Sequence, residues 1–502
     1  MSAAPNSLLA RIVRLRLDAC RRISPDRRST LGQFLTPPKV AGLMARMFGP
    51  LPDRVRMLDA GAGAGTLFAT ALAEACARDR RPKAFRAVAY EIDPALVACL
   101  PTAVDACRAQ AERTGISFDG KIIAGDFIEG AVGEISGGRG GFTHAIINPP
   151  YKKLGLRSPA RVAARSVGIE ASNLYVAFLG LSMMLLAPGG ELVAIVPRSF
   201  CNGPYFRPFR ELLLATMSLR RIHSFESRSA AFRDDRVLQE NVIIHAVKGK
   251  QRPSVIVSSS NGPADGSVAI RIVPFDRIVR RNDPDLFVRL ATDAIGQRVA
   301  DAFSRFTRSL ADLGLRVSTG RVVAHRANEH LRQEPDAHAG PLIQAAHFSS
   351  GAIAWPKACK KPNALVDCPA TADLWMPSGA YVLVKRLSSK EERRRIVAAV
   401  FDPALVRAPK IAFDNHLDVV HANGRGMDLV LARGLAAFLS STPVDTHFRQ
   451  WSGHTQVNAT DLRNMKYPAA NALRGLGKRA GKRPSQQQID ELVTALLATP
   501  GA

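Results

Sequence analysis

Arg56-Met57-Leu58-Asp59-Ala60-Gly61-Ala62-Gly63-Ala64-Gly65-Thr66 is the stretch that decides the fold. A short apolar run of strand character enters three closely spaced glycines. Thr66 then opens an Ala-rich segment that reads as a helix to Arg78. Strand, glycine turn and helix in that order form the first unit of an open α/β sheet with a ligand at its strand ends. Glycine lets the backbone approach that ligand and tolerates the turn. A lone GxGxG also fits a plain strand–helix turn, so the flanking sequence has to decide.

From about Arg56 to Val247, short apolar runs alternate with helical stretches. Ala87-Val88-Ala89-Tyr90 reads as a strand and Pro94 to Gln110 as a helix. Lys121-Ile122-Ile123 and His144 to Ile147 follow as strands. A helix over 172–187 is stopped by Pro188-Gly189-Gly190, and strands Glu191 to Val196 and Val242 to Val247 come after it. This rhythm predicts an α/β fold with a doubly wound parallel sheet. Residues 1–30 read as an N-terminal helical extension that leads into 31–250.

Around 248–266 the texture becomes polar, as in Ser258-Ser259-Ser260-Asn261-Gly262-Pro263, and 251–285 reads as a linker. Beyond it, 286–482 lacks the βαβ rhythm and reads as a mixed α+β domain. It holds a helical stretch from Asp285 to Leu313 and a strand Tyr381-Val382-Leu383-Val384. The segment GLGKRAGKRPSQQQ after Gly475 reads as a basic loop. The final piece, 483–502, holds a short helix from Ile489 to Leu497.

Bulk properties narrow the function. Apolar residues make up 46% of 502, which excludes a disordered chain. Lys and Arg number 69 against 43 Asp and Glu, a net charge of +26, and such a balance is a footprint for a polyanion. The seven cysteines form no close CxxC pair, which argues against a zinc ribbon or a disulfide framework. His416, His421 and His454 lack metal-ligand spacing, so no metal is expected. The longest apolar run, Leu174 to Ala187, is shorter than the ~18 residues a membrane span needs. A cytoplasmic protein is expected.

The strand ends carry the chemistry. Glu91, in Glu91-Ile92-Asp93-Pro94, ends the second strand, where it can accept both hydroxyl protons of a ribose. After the third strand, Asp126 can take an adenine amine and Phe127 can pack on its ring. Upstream, Thr36 lies in Gly32-Gln33-Phe34-Leu35-Thr36-Pro37-Pro38, before a helix read from Val40 to Phe48. The fourth strand runs into Asn148-Pro149-Pro150-Tyr151. An aromatic amine is a poor nucleophile because its lone pair is delocalised into the ring. The Asn148 side-chain oxygen and the Pro149 carbonyl can each accept one amine hydrogen and aim the lone pair at an electrophile. The prolines preset the carbonyl direction, and Tyr151 offers a flat face for stacking.

Taken together, these elements resemble the S-adenosylmethionine-dependent DNA adenine-N6 methyltransferases of restriction–modification systems. The order of Thr-Pro-Pro loop, glycine loop and Asn-Pro-Pro-Tyr before a C-terminal domain looks like their gamma class. The likeness covers about 30–250. The resemblance implies a Rossmann-like catalytic domain over 31–250 and a target-recognition domain over 286–482. It implies that Asn148, Pro149 and Pro150 position the adenine N6 and that Tyr151 stacks on a base rotated out of the duplex. It implies cofactor contacts from Thr36, Asp59, Gly61, Gly63, Glu91, Ile92, Asp126, Phe127 and Asn148. Phe232, in Ala230-Ala231-Phe232-Arg233-Asp234, is the candidate for the opposite wall. The polar triplet Gln239-Glu240-Asn241 is assigned no chemistry. The class often has an aromatic or acidic residue where this chain has Ala60 or Ala62.

The expected partner is double-stranded DNA, with a separately encoded restriction endonuclease acting beside it in a bacterial cell. Lys152, Lys153, Arg157, Arg161 and Arg165 follow the tetrapeptide and are candidates for phosphate contacts. Beyond 286, Arg321, Lys385-Arg386, His454, Gln456 and Asn458 are candidates for groove contacts, since Arg reads guanine and Gln or Asn reads adenine. The tetrapeptide also occurs in enzymes that methylate guanine N2 in RNA or a protein glutamine. A DNA-binding regulator with an inactive methyltransferase fold is a reading from another class. The basic C-terminal half favours DNA, and Asn at 148 favours adenine over cytosine N4.

Overall fold

The computed structural model describes residues 7–22, 35–225, 240–262, 268–280, 282–291, 293–349, 351–388, 392–453 and 456–499. Phe232, Gln239 and His454 lie outside them, as does Gly32-Gln33-Phe34. The chain divides into two compact units, Met1–Thr292 and Asp293–Ala502.

The first unit is built on nine strands: β1 Arg54–Ala60, β2 Ala84–Glu91, β3 Ser117–Ala124, β4 Phe142–Ile147, β5 Leu186–Pro197, β6 Met217–Phe225, β7 Asn241–Lys248, β8 Ser254–Ser260 and β9 Ala269–Pro274. They lie in one sheet in the order β3-β2-β1-β4-β5-β7-β6-β8-β9. β3 to β5 are all parallel. β7 is antiparallel to both β5 and β6 and wedges between them, so the expected parallel sheet is a mixed one. Alternate side chains serve opposite faces. Ile147, Ala194, Val196, Val242 and Ile244 pack into one core. Ile146, Val193, Ile195 and Ile243 pack into the other, with helices Pro38–Ala45 and Thr66–Ala77.

Three expectations fail here for physical reasons. Helix Leu8–Arg22 does not stand apart as an extension, because Leu8 and Ile12 are buried in the same core as Val40 and Met44. The helix expected from Pro94 to Gln110 breaks into Pro94–Val97 and Leu100–Thr114, with Pro101 in the first turn of the second piece. The stretch 251–285 is no linker. It supplies β8 and β9, and the three serines that made it look like one are buried strand residues.

The second unit holds two sheets. One runs in the order Arg316–Thr319, Leu417–His421, Tyr381–Lys385, Ala398–Phe401, Ala352–Ile353, Phe348–Ser349. The other runs Leu331–Arg332, Ala364–Val366, Ala339–Ile343, Lys410–Phe413, Trp375–Pro377. The helix expected from Asp285 shortens to Ala294–Phe303. The basic segment from Gly475 is not one loop: 475–480 end helix Ala470–Ala480, 486–488 open helix Gln486–Ala498, and only 481–485 join them. A Cβ on Gly477 would run into the Val430 carbonyl, and one on Gly434 into that of Leu473. The glycines thus let helices Leu429–Leu439 and Ala470–Ala480 close in backbone to backbone. Among the described residues no helix is long and apolar enough to cross a membrane.

Candidate active site

β1 delivers the glycine turn to the C-terminal end of the sheet. Gly61 and Gly63 adopt φ of +78° and +57°, a region that L side chains avoid. The amides of Gly61 and Ala62 both donate to the Tyr90 carbonyl, at 3.0 and 2.8 Å, which ties the turn to β2. Gly63 lies tight against Leu35, and a Cβ there would meet its Cδ2 at 2.7 Å.

Glu91 sits where a ribose contact was expected. Its carboxylate already accepts from Gly63 N at 2.8 Å, Ile92 N at 2.9 Å and Asp93 N at 2.8 Å. It braces the glycine turn through the Gly63 amide. Burial raises its pKa despite these amides. Asp59 is fully buried, and Oδ2 accepts from Phe68 N at 3.1 Å while Oδ1 has no partner. Burial pushes its carboxyl up to about 8, aided by the nearby Glu91 charge. Asp126 caps the helix Phe127–Ser136, accepting from Ile128 N at 2.7 Å.

Phe127 departs from its expected role. It is 2% exposed, with its ring held against Tyr90 and Phe178 at centroid distances of 5.2 and 4.9 Å. Core packing has claimed the ring that was expected to lie on an adenine. The apolar side chain left open at this edge is Ile92, 53% exposed. A nucleoside-bearing cofactor fits these residues. The glycine turn has no room for a Cβ at Gly63, Asp59 keeps an orphaned oxygen, and Ile92 is exposed at the end of the neighbouring strand.

β4 carries Asn148. Its Nδ2 donates to Thr36 Oγ1 at 3.0 Å, and its Oδ1 accepts from Tyr151 Oη at 3.1 Å. Thr36 is thus a direct partner of the amide, a link that sequence spacing across 112 residues did not reveal. Because Nδ2 is held by the threonine oxygen, Oδ1 is the atom turned toward the tyrosine. The amide thus presents its oxygen, an acceptor, on the side away from the threonine. Tyr151 also reaches the Ile195 carbonyl at 3.2 Å and packs edge-on against Tyr175 at 6.2 Å. Burial raises its hydroxyl pKa, which keeps it a proton donor.

The polar loop after the tetrapeptide is anchored. Leu174 N donates to Lys152 O at 2.8 Å and Leu154 N to Ser172 O at 2.9 Å. Lys152, Lys153 and Arg157 have exposed side chains. Arg161 and Arg165 do not join them, since both grip Glu170. Hydrogen bonding from Arg165 and Arg161 holds the Glu170 carboxyl below its usual range.

In the second unit several groove candidates prove to be structural. Asn458 caps helix Ala459–Asn464 in a reciprocal box with Asp461, so its side chain is committed. Arg386 donates to the Asn415 carbonyl at 2.8 Å and faces the buried Asp418. Arg321 gives Nη1 to the carbonyls of Asp373 and Trp375, at 2.9 and 3.1 Å. Gln456 is half-buried in a bridge with Leu387. Among the described residues no group of three His, Cys, Asp or Glu could hold a metal ion.

Residues 108–232 match the family model of the Eco57I restriction-modification methylase. The chain is 42% identical to the type II methyltransferase M.PstI of Providencia stuartii, over 98% of each chain. It is 41% identical to the type II methyltransferase M.BsuBI of Bacillus subtilis, over 90% of each. Among solved structures it resembles the type IIL restriction-modification enzyme MmeI in complex with DNA. There the TM-score is 0.55 at 11% identity, covering 100% of this chain and 78% of that one, a likeness of fold.

Proposed function

Because the chain belongs to the type II DNA methyltransferases of restriction–modification systems, we propose that it methylates N6 of adenine within one recognition sequence of double-stranded DNA, using S-adenosylmethionine. The observation that carries this reading is the orientation of Asn148. Its Nδ2 is fixed on Thr36, so the acceptor oxygen Oδ1 is the end turned toward Tyr151. S-adenosylmethionine, when bound, supplies an electrophilic methyl group. Gly61, Gly63, Glu91, Ile92 and Asp126 would hold it, with Asp59 beneath the turn.

Asn148 Oδ1 and the Pro149 carbonyl each accept one hydrogen of the adenine amine and turn its lone pair out of conjugation. Placement of the amine is the main contribution, since effective molarities of ~10⁵–10⁸ M are available from orientation alone. No strong base is needed, because the amine becomes acidic once alkylated. Tyr151, kept protonated by burial, is no base. Its ring would stack on the base.

Rotating the base out of the duplex costs roughly a few kcal/mol, and stacking offsets part of that. Lys152, Lys153 and Arg157 would meet phosphates beside the pocket. The enzyme would work in the bacterial cytoplasm, beside a separately encoded endonuclease that cuts the unmethylated site.

The test uses purified protein, labelled S-adenosylmethionine and duplex DNA, with nucleosides separated after digestion. Label in N6-methyladenine is expected. Label in cytosine, in ribosomal RNA or in a release-factor glutamine instead would overturn the reading. Sequencing DNA from a methylation-free host that expresses the gene then gives the recognition site.

A further inference from the structure

We propose that Asn241 is a base-positioning residue: its side-chain amide donates to a ring nitrogen of the extruded adenine beside the exocyclic amine. This rests on the adenine reading above and extends its site from β4 to β7.

Asn241 is 3% exposed, and neither its Nδ2 nor its Oδ1 has a hydrogen-bond partner. A buried amide left this way is costly, and native proteins seldom keep one without use. Among the described residues, its neighbours across the sheet are apolar. Pro197 stands opposite in the register with β5, and the buried Phe225 ends β6 on the other side.

Its place in the sheet aims it at the site. Asn241 is two residues from Ile243, on the face that also carries Ile195 and Ile146. Asn148 lies two residues beyond Ile146 and turns to Thr36, at the head of helix Pro38–Ala45 on that same face. Pro197 is two residues past Ile195, whose carbonyl Tyr151 touches at 3.2 Å. Only β5 separates β4 from β7. In register Asn148 stands level with Ile195 and Ile243, so Asn241 lies two strand spacings across and two residues along, about 12 Å from Asn148, a span that a purine gripped from both sides would bridge.

The position is also clamped. Arg198 and Glu240 flank the facing pair Pro197 and Asn241. Their side chains meet at 2.5 Å with each 7% exposed, and Arg198 N donates to Glu240 O at 2.7 Å. A buried ion pair contributes little net stability. Here it fixes the strand end that carries the amide. Asn148 and Pro149 consume both amine hydrogens, so the partner left for Nδ2–H is a ring nitrogen flanking the amine. An adenine ring nitrogen is an acceptor that an asparagine amide can address.

The experiment crosses Asn241→Leu with target adenines replaced by 1-deaza- or 7-deaza-adenine, reading kcat/KM, cofactor affinity and melting midpoint. On normal DNA the variant should lose about ten- to a hundred-fold in kcat/KM, with cofactor affinity unchanged. Its melting midpoint should hold or rise, since an unpartnered polar group has been replaced by an apolar one. The wild type should lose a similar factor on one of the two analogues, and the variant nothing further on that one. Additive losses on both analogues, or normal turnover by Asn241→Leu, would overturn the proposal. Asn241→Asp, which keeps the shape and removes the donor, should lose activity likewise; full activity would also overturn it. A wild type that labels no adenine at all would instead defeat the underlying reading.

Discussion

The glycine crevice and the amine trap open at the ends of neighbouring strands, β1 and β4, yet they are made of different material. The crevice is set by main chain: Gly61, Ala62 and Gly63 amides reach the Tyr90 carbonyl and the Glu91 carboxylate. The trap is set by side chains, Thr36 to Asn148 to Tyr151. A backbone cradle is rigid before any ligand arrives. A relay of side chains can reopen one bond at a time, which suits a base that has to be swung in.

Asn148→Ala tests the trap most severely. Methyl transfer should fall by about 10²–10³-fold, the range for deleting one preorganised hydrogen-bonding group, while cofactor affinity stays. Equal loss of both in binding and single-turnover assays would merge the two regions into one. Gly63→Ala should do the reverse. Strain at its positive φ costs about 1–2 kcal/mol, with contact against Leu35 added, so the melting midpoint falls and the rise on adding cofactor shrinks. An unaltered rise would show that the cradle is not set by main chain.

Thr36→Val removes the acceptor that orients Asn148 and keeps the shape. The expected loss is about tenfold in kcat with KM for cofactor little changed, and Thr36→Ser should restore it. Loss confined to cofactor KM would return Thr36 to the crevice. Asp59 acts on stability instead of turnover, as a slope against pH. The folded carboxyl keeps its proton to about pH 8, while the unfolded one releases it near 3.8. The native state therefore binds more protons in between, and stability should decline from about pH 4 to pH 8. Asp59→Asn should flatten that decline in thermal melts, and an unchanged slope would assign it to other groups.

Much of the crevice was legible because main-chain sites leave a mark in the sequence. Glycines after an apolar run, then acids at the next two strand ends, can be read directly. Phe127 was misplaced because its ring competes for two neighbours, and the core formed by Tyr90 and Phe178 wins. The Thr36–Asn148 bond and the bare amide of Asn241 were illegible, because each depends on a partner, or lack of one, far along the chain. In the second unit, polar residues were read as groove contacts when they serve as caps and carbonyl anchors, as Asn458 and Arg321 do. Gly477 was read as loop, although it serves a close helix contact.

β8 shows why composition misled. Its serines are bonded within the sheet: Ser258 and Ser260 take the two nitrogens of His223 at 3.0 and 3.2 Å, and Arg221 reaches Ser258 at 2.9 Å. Burial lowers the His223 pKa to about 4, so the ring stays neutral between the two hydroxyls. These contacts fall on alternate residues of one strand, and so they work as a key for alignment. A one-residue slip of β8 along β6 would set Val257 or Ser259 opposite the imidazole and break its paired contacts with Ser258 and Ser260. An apolar strand could slide and still bury its surface. This one loses hydrogen bonds when it slips, so the native alignment at the far side of the sheet is favoured chemically as well as by burial.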